Sequence, residues 1–465
     1  MTHKTFWLLT AAVFIALLLP VLVQHGMFLD GVTHASIAKN MANGLGGFSK
    51  PYYTPALDPV FFGQPPLALW LQSQFFKIFG DHFWVERLYS FCTAIVCAAG
   101  VVMNWRLLLK VTLLEKESPF SSPSWLPVLL WVTTPLVFWA YQNNMLECTM
   151  SVFVLFATYF ATKSVFEKRN ELLLVAAFLT AAAVLCKGPV GFFPVAVPVA
   201  AWLAFRPMGL TGAIARSVIM LLLTLAMLAL VIGFVPGMQQ YFDLYLNKQL
   251  LPTLSGVQEK PVENHLNILL DLFSQFALPF ILVALMLAKR GFRGLTLSKP
   301  TLFFFVLSLA GSLPLMVSPK QSAHYLLPSM PFFALGFAAI FSKSVAWNEA
   351  TTTKNNAFWE KAAWLVLVAS VVVSLSFWGK YHRDEQKIRD IKAICTQVGT
   401  GAILGVPAQL SSDWLSIAYF ARLGNVGLDS RTEHDFCLTE KGAQTPVGYE
   451  KTDLILDKYE LWQKK

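Results

Sequence analysis

The sequence predicts a polytopic α-helical membrane protein of about eleven transmembrane helices, with interfacial helices on its outer face and a small C-terminal α/β domain. Three observations lead there. The 465-residue chain is 55% hydrophobic, with a mean hydropathy of +0.55. Only 14% of it is charged, against roughly a quarter in soluble domains, so lipid is its main solvent. Apolar runs near or above ~18 residues, enough to cross a hydrocarbon core of ~30 Å, recur along the chain.

By that length rule the spans run approximately over residues 6–23, 85–109, 125–140, 148–166, 172–186, 190–205, 218–235, 266–288, 302–317, 326–341 and 362–378. The first, behind Lys4, is too long for the ~7–15-residue apolar stretch of a secretion signal, so it is expected to be retained. Cations mark alternate connections: Arg106, Lys110 and Lys116; Lys163, Lys168 and Arg169; Arg206 and Arg216; Lys289, Arg290, Arg293 and Lys299; Lys343, Lys354 and Lys361. These share a side with Lys4, and the positive-inside rule makes that side cytoplasmic. The net charge of +9 then reflects topology and anionic headgroups. No basic-aromatic patch points to nucleic acid.

An odd number of spans leaves residues 379–465 outside, as an extracytoplasmic (periplasmic) domain beside a transmembrane domain of residues 1–378 that includes the long first outer loop, 24–84. The tail reads as helix (381–395), strand (402–406), helix (413–423) and strands near 426–428 and 454–456, enough for one small α/β fold. Cys395 and Cys437 are its only cysteines. In an oxidising compartment they either pair, worth ~3–4 kcal/mol in the chain-entropy model, or stay as two buried thiols. Cys92, Cys97, Cys148 and Cys186 lie in or beside spans and read as small apolar packers.

The outer connections hold the unusual residues. The first opens with Asp30 and His34, and Ala35, Ile37, Ala38, Met41 and Ala42 suggest a short helix lying against the membrane. After Gln64, residues 66–79 are helical and amphipathic, with Leu67, Trp70, Leu71, Phe75, Ile78 and Phe79 apolar, as in a segment lying in the headgroup plane. Glu147 ends an Asn143-Asn-Met-Leu-Glu turn, and Lys187-Gly-Pro splits two hydrophobic runs. The 237–265 loop carries Tyr241, Tyr245, Lys248, Lys260 and Glu263, and 318–328 carries Lys320, His324 and Tyr325. Ionisable groups at a membrane boundary are costly unless paired or wet, so these are functional candidates. No histidine pair has metal-ligand spacing, and no cofactor is called for, although Glu147 leaves a divalent cation open.

The order of these motifs resembles a family. An acid soon after the first span, Pro65-Pro-Leu-x-x-Trp-Leu, Phe79-Gly-x6-Arg-Leu, an acidic turn at Glu147, Lys187-Gly-Pro and Lys320-x3-His-Tyr-x-x-Pro resemble the GT-C glycosyltransferases that use polyprenyl-phosphate sugars. The aminoarabinose transferases of lipid A and the protein O-mannosyltransferases are the nearest branches. The resemblance covers about residues 1–345. It departs where Asp30-Gly31 replaces Asp-Glu, and where Gly63-Gln64-Pro65 replaces Glu-Lys-Pro, removing one expected phosphate contact.

The resemblance implies an inverting transfer, with a polyprenyl-phosphate-linked sugar as donor, a lipid, glycan or protein as acceptor, and no nucleic acid. Sugar transfer from a lipid phosphate needs a base for the acceptor hydroxyl, cations or donors for the departing phosphate, and sideways entry from the membrane. Asp30 fits the base, since partial burial makes a carboxylate more basic. Lys187, Lys320, Tyr325, His324 and Gln64 fit the donor phosphate and sugar. Glu147 and His34 fit the acceptor side or a second acid, and Trp70, Tyr241 and Tyr245 a lipid groove. Structural readings stand beside these: Asp30 as a helix cap, Lys187 as a snorkelling boundary lysine, Tyr325 as a belt aromatic, Glu147 as an exposed turn residue, Lys320 as a headgroup contact and Gln64 as a loop polar. A transporter or flippase would favour repeats and charged helix breaks at the midplane, and a scaffold would leave the cluster in residues 1–345 unexplained.

Overall fold

The computed structural model describes residues 2–56, 60–114, 124–256, 264–290, 297–342 and 355–465. Lys116, Lys260, Glu263, Arg293, Lys343 and Lys354 lie outside the described residues. Among those described, seven helices are long and apolar enough to cross a bilayer: His3–Leu22, Val85–Thr112, Leu146–Phe166, Leu210–Phe234, Lys299–Val317, Ala323–Phe341 and Asn356–Leu375. Asn267–Ser274 and Ala277–Ala288 make an eighth if their 64° bend is counted as one broken span. The protein is therefore an integral membrane protein.

The expected spans missing from that set are interrupted or short. The 125–140 run divides into Trp125–Val132 and Pro135–Gln142. Pro135 lacks the N–H that would continue the ladder, and Thr133 and Thr134 donate their hydroxyls back to the Leu129 and Leu130 carbonyls. Residues Glu171–Lys187 form 17 residues of helix, about 25 Å at 1.5 Å per residue. The 190–205 run starts as a 3-10 segment, Pro189–Ala196, before the Val197–Phe205 helix. Three prolines, Pro189, Pro194 and Pro198, remove its amide donors.

The chain forms two compact units. The first comprises Met1–Pro20, Ser90–Tyr141 and Glu147–Ser376. Its helices meet through small residues and shared polar groups, as packing in lipid requires. Gly100 brings the Val85–Leu114 helix onto Leu155, and Asn104 donates to both the Gly100 and Leu155 carbonyls, at 2.9 and 3.0 Å. Phe276, Phe305, Phe333 and Phe337 interlock as a ring cluster with centroids 4.8–6.1 Å apart.

The second unit comprises Val21–Tyr89, Gln142–Leu146 and Phe377–Lys465. The first long connection thus packs with the C-terminal tail, a different division from the expected cut at residue 378. The reason is an ionic network centred on the buried Arg422. Arg422 donates to both Glu86 carboxylate oxygens at 3.2 and 3.0 Å and to Asp81 at 2.6 Å. Lys39 donates to the Arg422 carbonyl at 2.6 Å and stands 3.6 Å from Asp81. Asp81 is pushed up by burial, but Arg422 and Lys39 more than reverse this and hold its carboxyl below the ordinary range. The Leu29–Ala42 helix, expected to lie on the membrane, is buried along nearly its whole length from Gly31 to Met41. The Leu67–Phe79 helix is amphipathic: Ala68, Leu69, Gln72, Ser73 and Phe76 are buried, while Trp70, Ile78 and Phe79 are exposed.

The tail folds as a five-stranded sheet in the order Gly427–Asp429, Ile403–Gly405, Phe436–Glu440, Tyr459–Lys464, Tyr449–Lys451. The first three strands are parallel and the last two pairings antiparallel. The Trp414–Gly424 helix, capped by the Asp413 side chain on the Leu415 and Ser416 amides, makes the crossover that parallel strands need. Asp390 of the Glu385–Val398 helix accepts from the Asp457 and Lys458 amides and ties that helix to the sheet. Residues 454–456, expected as a strand, form a link instead, and Ile455 points into solvent. Of the two readings left open for Cys395 and Cys437, the disulfide is not formed; both are free thiols. Cys395 packs beneath Gly424 while Cys437 stands opposite Trp462 in the sheet, so each serves its own contact. Burial pushes the Cys395 thiol up to about 12 and raises Cys437, so both stay protonated at neutral pH.

Arg422→Ala leaves Glu86 buried without its counter-charge and is expected to destabilise the second unit by about 3–5 kcal/mol, read as a fall in Tm; an Arg422→Met/Glu86→Leu pair should recover much of it. Because the folded Asp81 pKa is depressed, its stabilisation is fully present above the unfolded value near 4 and is lost as pH falls through the lower folded value. Acid melting below about pH 4 should be steeper in the parent than in Asp81→Asn.

Candidate active site

In the first unit, breaks between helices bring together residues far apart in the chain. Glu147 occupies the first turn of the Leu146–Phe166 helix, fully buried. Lys187 is the last residue of the Glu171–Lys187 helix, where the macrodipole favours a cation. Its ammonium lies 3.0 Å from the Glu147 carboxylate, and the lysine side chain is only 7% exposed. His324 Nε2 stands 3.8 Å from the same carboxylate oxygen. The 3-10 helix Ala323–Ser329 also supplies Tyr325, whose ring lies 5.6 Å from the Lys187 ammonium and edge-on to His324 at 4.7 Å. Trp139 stacks over His324 at 6.2 Å.

The glycine after Lys187 explains the closeness of this packing. Gly188 has φ +95°, which L side chains rarely adopt, and a Cβ there would strike the Tyr245 hydroxyl oxygen. Tyr245 and Tyr241, expected in a lipid groove, are both buried on the Met238–Tyr245 helix. Burial pushes the Tyr245 hydroxyl up to about 12, although the Lys187 charge pulls the other way. It is therefore a neutral donor at physiological pH. Lys320 stands half-buried just ahead of the 3-10 helix. The reading of Glu147 as an exposed turn residue is overturned. It is enclosed with the Lys187 ammonium 3.0 Å away as its counter-charge.

In the second unit, Asp30 occupies the first turn of the Leu29–Ala42 helix but does not cap it. Phe28 is the cap residue without a side-chain cap, and its own N–H goes to Asn143 Oδ1 at 2.8 Å. Asp30 is half-buried, and His34, one turn on, shares its face and is buried. Burial, with the Asp30 charge adding to it, holds the Tyr53 hydroxyl above its ordinary range, against the 3.2 Å hydrogen bond it shares with Thr33. Gly31 is required by contact: a Cβ would overlap the Asn143 carbonyl oxygen. The same Asn143–Asn144 turn reaches the Leu67–Phe79 helix, with Gln72 donating to Asn144 Oδ1 at 2.8 Å. Gln64 lies half-buried in the loop ahead of that helix, and Trp70 faces outward with Phe48 edge-on at 6.2 Å.

Sequence reasoning missed Trp139, Tyr53 and Thr33, which carry no motif of their own. It also left Asn143 and Asn144 without a role, though two adjacent asparagines before a helix are a turn signal. Among the described residues, no three of His, Cys, Asp and Glu gather closely enough to hold a metal ion. Chemically, the first unit offers a buried ammonium flanked by an imidazole and two phenols, and the second offers a half-buried carboxylate on a pinned helix end.

Glu147→Ala strands a buried ammonium and should cost about 3–5 kcal/mol of stability, read as Tm in detergent. Gly188→Ala should lower Tm as well, and Gly188→Ala/Tyr245→Phe, which removes the struck oxygen, should recover part of the loss.

Residues 63–235 match the dolichyl-phosphate-mannose-protein mannosyltransferase family. No curated protein sequence matches significantly. Among solved structures, the crystal structure of ArnT from Cupriavidus metallidurans bound to undecaprenyl phosphate superposes with a TM-score of 0.64 at 15% identity, over 98% of this chain and 97% of that one. The apo form of the same protein gives 0.64 and 15%, over 97% and 95%. The fold is thus shared with that structure over nearly the whole length, and the family match covers the segment that holds Glu147 and Lys187.

Proposed function

We propose that the protein moves a sugar from a polyprenyl-phosphate donor to a hydroxyl or phosphate acceptor on lipid A, a glycan or a protein, at the outer face of the cytoplasmic membrane. One observation carries this reading: Lys187 is buried and paired with Glu147 at 3.0 Å, with His324, Tyr325 and Tyr245 around it. Such a set binds a phosphate monoester or diester through charge-assisted hydrogen bonds. The undecaprenyl phosphate held by the ArnT structure supports the same ligand class here.

In this mechanism the acceptor oxygen attacks the anomeric carbon while the bond from that carbon to the phosphate oxygen breaks. Asp30 takes the acceptor proton. The electron pair stays on the departing polyprenyl phosphate, whose charge Lys187 stabilises, with Lys320, Tyr325, His324 and Gln64 as further donors. Attack on the face opposite the leaving group inverts the anomeric centre. Glu147 holds the Lys187 ammonium in place, His34 serves the acceptor side with Asp30, and the exposed apolar face around Trp70 lies along the lipid tail.

Mass spectrometry of envelope glycolipids and glycoproteins, with and without the chain, identifies the sugar and acceptor; no difference in either fraction would count against a transferase. Asp30→Asn should reduce transfer about 10²–10⁴-fold while binding of undecaprenyl phosphate to the purified protein is retained. Lys187→Met should weaken that binding about tenfold or more. Unchanged transfer in a folded Asp30→Asn protein would remove Asp30 from the role of base.

A further inference from the structure

A cavity of about 320 Å³ lies inside the second unit, lined by none of the residues given a part in the transfer reaction. Its walls come from the entry to the Leu29–Ala42 helix, the 81–87 segment, and the Glu385–Val398 and Trp414–Gly424 helices. Val32 lines it and Asp30 does not. Residues two apart on a helix point to opposite sides, so the cavity and the Asp30 carboxylate occupy different faces.

The charges on its walls do not balance. Three cations line it, Arg87, Lys392 and Arg422, with two carboxylates, Asp81 and Glu86. Both carboxylates are engaged by Arg422, and Asp81 also by Lys39 behind it. Arg87 is buried and donates only to the carbonyl oxygens of Gln142 and Gly26. Lys392 lies over the Tyr381 ring at 5.7 Å. Neither forms an ion pair among the described residues. The neighbouring Arg383 and Asp384 pair with each other at 2.9 Å and cancel. His25, on the same wall, is lowered to about 4 by burial and then by Lys392, Arg87 and Arg422; His382 is lowered too, by burial and by Arg87 and Arg383. Both imidazoles are therefore neutral at physiological pH, and the surplus positive charge rests on Arg87 and Lys392.

We propose that this cavity is a second ligand site, which takes one phosphate-bearing group between Arg87 and Lys392. A single carboxylate satisfies one guanidinium. Two unspent cations from separate elements match a dianionic phosphate, which accepts from both at once. The volume is that of a small ligand pocket, so it admits the phosphate together with a headgroup-sized remainder. All its walls belong to one unit, and a ligand there binds only the folded unit and stabilises it.

The test uses the full chain, purified in a non-ionic detergent. Thermal unfolding is followed while sodium phosphate replaces sodium chloride at constant ionic strength, and in a second arm while short-chain phosphatidic acid replaces phosphatidylcholine in the micelle. A saturable rise in Tm of several degrees is expected at about 100 times Kd. Lys392→Gln should shift half-saturation at least about tenfold, Lys392→Arg should keep the response, and Lys187→Met, which alters the other phosphate cradle, should leave it intact. Histidine-labelled NMR should show the His25 pKa rising from about 4 when the anion is present. A Lys392-dependent response to inorganic phosphate supports a soluble ligand, and one confined to phosphatidic acid supports a lipid headgroup. No saturable response in either arm, a response indifferent to Lys392, or one lost in Lys187→Met but kept in Lys392→Gln overturns the proposal.

Discussion

A carboxylate with no access to water must be neutralised where it stands, and the first unit is arranged around that requirement at Glu147. The residue begins one helix and Lys187 ends another, so their 3.0 Å pair joins two helix ends and not two helix middles. Helix ends are where a membrane protein has backbone groups and irregular geometry to spare, and where side chains can gather without breaking a ladder in lipid. Gly188 then turns the chain at an angle that admits Tyr245, and the 3-10 start of the Ala323–Phe341 span turns His324 and Tyr325 toward the same charges.

The second unit meets the same requirement with a different construction. Arg422 arrives from the C-terminal domain and satisfies Asp81 of the first loop and Glu86 of the helix that follows it, while Lys39 joins the network from the Leu29–Ala42 helix. An arginine suits this task because its planar fork reaches both Glu86 oxygens and Asp81 together. Buried ion pairs contribute little net stability compared with apolar packing, but they tolerate no mismatch. They therefore fix which segments pack together, and here they fix the first loop to the tail.

The chemical roles divide in the same way. The first unit supplies an enclosed cation with neutral donors around it, suited to a leaving phosphate. The second supplies a carboxylate on a helix whose entry is held by Asn143 from one side and by the Tyr419 hydroxyl on the Met27 amide from another. The C-terminal domain is then more than an appendage: its Trp414–Gly424 helix supports the segment that carries the proposed base.

By itself the sequence determined the membrane class, most of the spans, the amphipathic helix at residues 67–79 and the two helices of the tail, because hydrophobic length, period and capping are local properties. It also singled out Asp30, Glu147, Lys187, His324 and Tyr325, because charged or polar groups at apolar boundaries stand out without any knowledge of neighbours. Only the tertiary structure decided that Glu147 is buried against Lys187, that Tyr241 and Tyr245 are core residues, that Cys395 and Cys437 stay apart, and that residues 21–89 fold with residues 377–465. It also decided that the 29–42 helix is enclosed, although its mix of small residues with Lys39 and Asn40 reads as a surface. Each of these depends on which distant group lies opposite, and pairing energies between residues hundreds of positions apart leave no periodicity for a sequence to show.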